Sequence, residues 1–175
     1  DNIYLSKEAV YSLFETSFKA RNEDKIIIDE QIRRYFKTFC QLTHLQDYML
    51  KDLSVSAIQN EIILLKTDLI RLFSFFYDRS TLVKIKDTLH HDNDHESQAN
   101  ALERMDLLVE REYKPVVNYL LDKTELTNNY NSLAKQYHFS VDWKQNYLFL
   151  LSKASCVSAY TKAIMLHSVE EECIE

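Results

Sequence analysis

Apolar residues recur along almost the whole chain in steps of three and four, the spacing that gathers them on one side of a 3.6-residue turn. Ser6 can cap a first helix with Val10, Leu13, Phe14 and Phe18 on one side. Asn22 to Asp24 is a polar break. A second stripe runs through Ile28, Ile32, Tyr35, Phe39 and Leu42. The less regular stretch from Thr43 to Leu53 is read as a further short helix.

The longest stripe is Ile58, Ile62, Leu65, Leu69, Leu72 and Phe76, and it predicts an amphipathic helix of about five turns. Ser56 and Gln59 have the spacing of a capping box at its start. Asn60, Thr67, Arg71, Ser74 and Asp78 fall opposite, as a wet face. Ile63, Ile70 and Phe73 widen the apolar face beyond a two-helix seam, which implies neighbours on both sides.

Shorter helices follow. Ser80 can cap Thr81 to Leu89, with Leu82, Ile85 and Leu89 inward. Asp94 can cap the next, with Ala99, Leu102, Met105 and Val109 inward. Pro115 suits a helix start, where its missing N–H loses no bond, and Val116, Val117, Leu120 and Leu121 follow it. Thr124 can cap a helix through Leu133 and Tyr137, and Asp142 one through Trp143, Tyr147, Leu148 and Leu151. A last helix is placed over Cys156 to His167, ahead of a fraying acidic end from Glu170.

The segments around Leu89 and Leu121 echo each other at an offset of 32 residues, with Ile85 matching Val117, Asp92 matching Thr124 and Met105 matching Tyr137. Each copy reads as short helix, polar turn, cap and longer helix. A period of this size suggests a helical-repeat array. The expected fold is therefore all-α, an α–α superhelix of antiparallel helix pairs. Residues 1–55 would be N-terminal helices capping the array and 56–175 the repeat region, together one continuous domain.

Composition sharpens this picture. Average usage of roughly 7% would give about a dozen glycines; the chain has none. Tight hairpins need residues at φ > 0, so a β-protein is improbable, and glycine-based phosphate loops are excluded. The formal net charge of −6 argues against duplex nucleic acid or anionic lipid as a partner. Cys40, Cys156 and Cys173 are odd in number and widely spaced, without a CxxC pair. Cys40 and Cys156 lie in apolar helical stretches as small hydrophobes, and a reducing compartment is the simplest setting. No apolar run approaches the ~18 residues that span a bilayer, and no signal-peptide pattern is present. The chain opens on Asp1 rather than methionine, which points to an excised domain or a processed product.

The segment Asn100-Ala101-Leu102-Glu103-Arg104-Met105-Asp106-Leu107-Leu108, followed by Tyr113-Lys114-Pro115-Val116-Val117-Asn118-Tyr119-Leu120-Leu121-Asp122, resembles the HEAT-type repeats attached to bacterial ATP/ADP-translocase-like membrane proteins. The resemblance covers roughly Ile58 to Ala163 and departs from the family pattern at Arg104 and Leu107. Ala101, Leu102, Glu103 and Asp106 carry the match, in a structural role: the apolar pair packs and the carboxylates brace the next turn. The resemblance implies a cytoplasmic module, at the inner face of the membrane, tethered to transporter-like transmembrane helices.

Three constellations bear on chemistry. His90, His91, Asp92, Asn93, Asp94, His95 and Glu96 are the only dense set of metal-ligand types, but neighbours on one turn rarely converge on an ion, and a solvated turn accounts for them. Glu103, Asp106 and Glu110 fall along one helical face without the Glu-x-x-His spacing of a di-iron site, and read as solvated beside Arg104, Arg111 and Lys114. His44, His138 and His167 are scattered, with no nucleophile motif beside them. No enzyme chemistry, metal or cofactor is therefore expected. Tyr113, Tyr119, Tyr130 and Tyr147 are the candidate interaction surface, since tyrosine is enriched where proteins meet. The function expected is non-catalytic binding or regulation, with protein or another domain of the same parent chain as partner, no nucleic acid, and no insertion into a membrane. A small-molecule-sensing helical domain is the alternative; a HEAT-like enzyme acting on nucleic acid ranks behind both.

Overall fold

The computed structural model describes residues 6–48, 52–89 and 95–172. Among them the chain is all-helical, with nine helices and no strand. These are α1 (Lys7–Glu15), α2 (Lys25–Gln46), α3 (Asp52–Phe73), α4 (Arg79–Leu89), α5 (His95–Leu108), α6 (Lys114–Leu121), α7 (Lys123–Gln136), α8 (Trp143–Leu151) and α9 (Ala159–Glu172). None of the helices searched is long and apolar enough to cross a membrane.

The helices form two compact units, each drawn from two separate stretches of chain. The first unit comprises Asp1–Arg33 and Lys66–Leu126, the second Arg34–Leu65 and Thr127–Glu175. In the first unit α4 packs on α5 and α5 on α6; in the second α8 packs on α9.

The 3.6-residue stripes become core. Val10 and Phe14 are buried on α1, and Ile28, Ile32, Tyr35, Phe39 and Leu42 are all buried on α2. The helix starts follow local hydrogen-bond chemistry. Ser6 accepts from the Ala9 N–H at 3.2 Å, and Asp142 accepts from the Lys144 N–H at 3.0 Å, as the sequence predicts. Pro115 sits in the first turn of α6.

Elsewhere the caps differ. Asp78, not Ser80, opens α4: its carboxylate accepts from the Thr81 N–H (2.8 Å), the Thr81 hydroxyl (2.7 Å) and the Ser80 hydroxyl (2.6 Å). These bonds hold the Asp78 carboxyl below the usual carboxylate range. Asp122, not Thr124, opens α7, accepting from the Thr124 and Glu125 N–H groups at 2.8 and 3.0 Å. In both cases an aspartate two residues upstream of the expected cap accepts the first helix donors, and a charged oxygen makes the stronger hydrogen bonds.

Helix α3 starts four residues before the expected capping box, so Ser56 and Gln59 lie inside it. Thr43 belongs to the last turns of α2, and Leu53 to the first turn of α3, so no separate short helix stands between them among the described residues. The supposed wet face is partly core: Thr67 on α3 and Ser74 just past its end are buried, while Ile63 faces solvent. Ala99 is exposed rather than inward, and Leu148 is exposed on α8. Helix α9 starts at Ala159, which leaves Cys156 in the preceding loop, half-buried; Cys40 is buried on α2, and its thiol is pushed up by burial. The turn from His90 to Asp94 lies outside the described residues.

Among the described residues, Ser17 and His138 stand in the left-handed backbone region without being glycine, each at φ 54°. Both follow a helix end, the place where a glycine would reverse the chain most cheaply. In the second unit the carbonyl of His138 is held by Lys37 Nζ at 2.8 Å, which satisfies a group the αL turn leaves exposed.

Candidate functional site

The outer face of α3 within the second unit stands out. Over residues 53–64 its exposed positions are Leu53, Ser56, Gln59, Asn60, Ile63 and Leu64. None is charged. Leu53 is 64% exposed, Ile63 39% and Leu64 51%.

A buried acid sets this rotation of the helix. Glu61, only 1% exposed, points inward at the start of α9. One carboxylate oxygen accepts from the Ser158 N–H at 3.1 Å. The other accepts from the hydroxyls of Ser158 (2.6 Å) and Thr161 (2.8 Å). The first N–H groups of a helix lack partners within it, and the positive end of its dipole favours an anion. Glu61 thus acts as a cap supplied from 97 residues away. With Glu61, Ile58, Ile62 and Leu65 turned inward, Leu53, Ile63 and Leu64 have no side left but the outer one.

The tyrosines expected to form an interaction surface are placed otherwise. In the first unit Tyr113 is buried and its hydroxyl donates to Asp29 Oδ1. Burial, then the bond to Asp29, pushes its hydroxyl far above the usual tyrosine range. Its ring meets Phe73 edge-on at 5.5 Å and stacks with Phe76 at 6.4 Å. Tyr119 is half-buried on α6. In the second unit Tyr130 and Tyr147 are buried; Tyr130 Oη accepts from Asn146 Nδ2 at 2.8 Å, and Tyr147 Oη donates to the Met165 carbonyl at 2.7 Å. Three of the four therefore tie helices together from inside, and their rings offer little to a partner.

The family-pattern residues lie on α5. Glu103 is exposed, and the side chains of Ala101, Leu102 and Asp106 are outside those described. Arg104 and Leu107, where the pattern departs, both face solvent, Leu107 at 82% exposure. Glu110 lies past the end of α5, so it does not continue the face of Glu103. It pairs instead, with Glu112, to Lys25 Nζ at 3.5 and 3.1 Å.

His138 and His167 are exposed. His44 is half-buried, lying flat on Tyr130 with ring centroids 3.9 Å apart. Burial lowers its pKa below the ordinary 6.5, against a smaller upward pull from Asp47. The folded chain therefore binds this proton less readily than the unfolded chain. As pH falls below 6.5 the unfolded state takes up the proton first, so His44 subtracts stability until pH drops beneath its folded value. Urea midpoints at pH 7.5 and pH 5 should show this loss, and His44→Phe should lose its His44 share.

Against models of protein families, curated proteins and solved structures, the chain matches none. The resemblance in residues 100–122 rests on those residues alone.

Proposed function

We propose that this chain is a non-catalytic helical-repeat module that binds protein through the outer face of α3. Its helices stack as antiparallel pairs in an α–α superhelix of the HEAT kind. The module belongs to a larger, transporter-like membrane protein, at the cytoplasmic face of the inner membrane. Its partner is another domain of that parent chain or a separate regulator, held by surface complementarity.

One observation carries the reading: residues 53–64 of α3 turn Leu53, Ile63 and Leu64 outward with Ser56, Gln59 and Asn60 and no charged side chain. Solvent-facing helix surfaces are normally rich in charge, and the centre of a protein interface is where charge is depleted. The packing of α4 on α5, a short helix followed by a longer one, together with the segment 100–122, supports the repeat reading.

A photo-crosslinking residue at Gln59, in the source cell, tests it. The expected result is one dominant crosslinked protein species, recovered with the membrane fraction. Leu64→Asp should weaken that crosslink at least about tenfold, the equivalent of ~1.4 kcal/mol of binding. The urea midpoint should hardly move, because Leu64 is exposed in the isolated module. A crosslink absent, or indifferent to Leu64→Asp, defeats the reading.

A further inference from the structure

The second unit contains a cluster of polar groups around Asn146 whose hydrogen bonds can be counted one by one. Asn146, buried on α8, uses both amide hydrogens: Nδ2 donates to Tyr130 Oη and to the Ser140 carbonyl, each at 2.8 Å. Its Oδ1 must then be the acceptor, and it takes Gln41 Nε2 at 2.8 Å. That bond fixes the orientation of the Gln41 amide. The other end of that amide, Oε1, has no hydrogen-bond partner within the protein, on a side chain only 1% exposed.

His44 lies three residues further along α2, on the same helical face. Its Nδ1 is buried and likewise lacks a partner within the protein. The His44 ring is stacked on Tyr130 at 3.9 Å and 10°, the tyrosine whose hydroxyl accepts from Asn146. Having accepted from Asn146, Tyr130 Oη still has its own proton to donate. In the tautomer with Nε2 protonated, His44 Nδ1 presents a lone pair. The cluster thus holds two buried acceptors without a partner, Gln41 Oε1 and His44 Nδ1, and one hydroxyl with a proton still to donate, that of Tyr130. Native proteins match nearly all such buried groups.

We propose that Gln41, His44 and Tyr130 form a binding site for one small neutral molecule that brings two hydrogen-bond donors and one acceptor. Water and a primary amide share that chemistry. An internal water typically makes about three bonds, the number offered here. A charged ligand does not fit, because none of the three groups carries a compensating charge while His44 is neutral. The aromatic column continues outward from His44 to Tyr48 at 5.1 Å, and from Tyr48 to Trp143, stacked at 5.6 Å and 13°. Trp143 is the chain's one tryptophan, so its emission reports on the column.

A crystal structure of the chain, fine enough to place ordered water, should show a density peak within bonding distance of both Gln41 Oε1 and His44 Nδ1. Acetamide distinguishes the two sources. A saturable change in Trp143 emission on titration, with elongated density at the peak, assigns a site that takes primary amides. Unchanged emission and a round peak assign water. His44→Phe keeps the ring stack and deletes one acceptor; it should lose the peak and any acetamide response while keeping its helical circular dichroism. Tyr130→Phe, which deletes the donor, should do the same. The proposal is overturned if the wild-type crystal has no such peak, if Gln41 Oε1 is bonded there to a protein group, or if the peak survives in a folded His44→Phe.

Discussion

Replacing Glu61 with alanine should lower the unfolding free energy by about 3–5 kcal/mol, because three buried donors lose their acceptor at about 1–3 kcal/mol each. Glu61 takes three hydrogen bonds from the start of α9: the Ser158 N–H and the hydroxyls of Ser158 and Thr161. Alanine leaves those donors facing an apolar gap and removes the anion from the positive end of a helix. Glu61→Gln separates charge from shape. Its amide oxygen can keep the Ser158 N–H, and its NH2 can donate to the two hydroxyls once they rotate, so a smaller loss of about 1–2 kcal/mol is expected. Urea unfolding gives both values. Amide exchange should show α9 losing protection first in the alanine variant. A Glu61→Ala loss under about 1 kcal/mol would remove Glu61 as the group that sets the rotation of α3.

Phe73→Ala should be comparably damaging in the first unit, at about 3–5 kcal/mol. Phe73 is fully buried, and its ring meets Tyr113 edge-on at 5.5 Å and Tyr77 at 6.5 Å. Truncation leaves a cavity beside the tyrosine whose hydroxyl reaches Asp29. Tyr113→Phe keeps that packing and deletes only the hydroxyl, so a loss of about 1–2 kcal/mol is expected. Calorimetry on both variants checks the order. If Tyr113→Phe proved the worse of the two, the hydrogen bond and not the aromatic packing would be holding this cluster.

The pattern of apolar steps revealed the helices because a one-sided stripe leaves few alternatives. Ile28, Ile32, Tyr35, Phe39 and Leu42 are the plain case, and all five are buried. Helix α3 shows where this reasoning stops. Its stripe of Ile58, Ile62, Leu65, Leu69 and Leu72 is buried as the spacing predicts, but Ile63, read as widening the apolar face, is 39% exposed. The inward turn of Glu61 to meet Ser158 is a pairing with no local signature. The caps failed for a related reason. Ser80 and Thr124 are good capping residues, but each has an aspartate two positions upstream, and the carboxylate takes the helix donors. The tyrosines misled because helical spacing looks the same for a buried ring and a surface one. Gln41 and Asn146, each an ordinary polar residue in sequence, drew no notice until the fold brought them within 2.8 Å.

The division of each unit between two stretches of chain also bears on how the protein is made. By the time Leu126 has left the ribosome, every residue of the first unit has been synthesised, whereas the second has only Arg34–Leu65. Until Thr127 and the residues after it emerge, Phe36 waits for Tyr137, Gln41 for Asn146 and Glu61 for Ser158. A nascent chain halted near residue 126 therefore displays the inner faces of α2 and α3 that the finished protein covers, and a chaperone or protease would find it there.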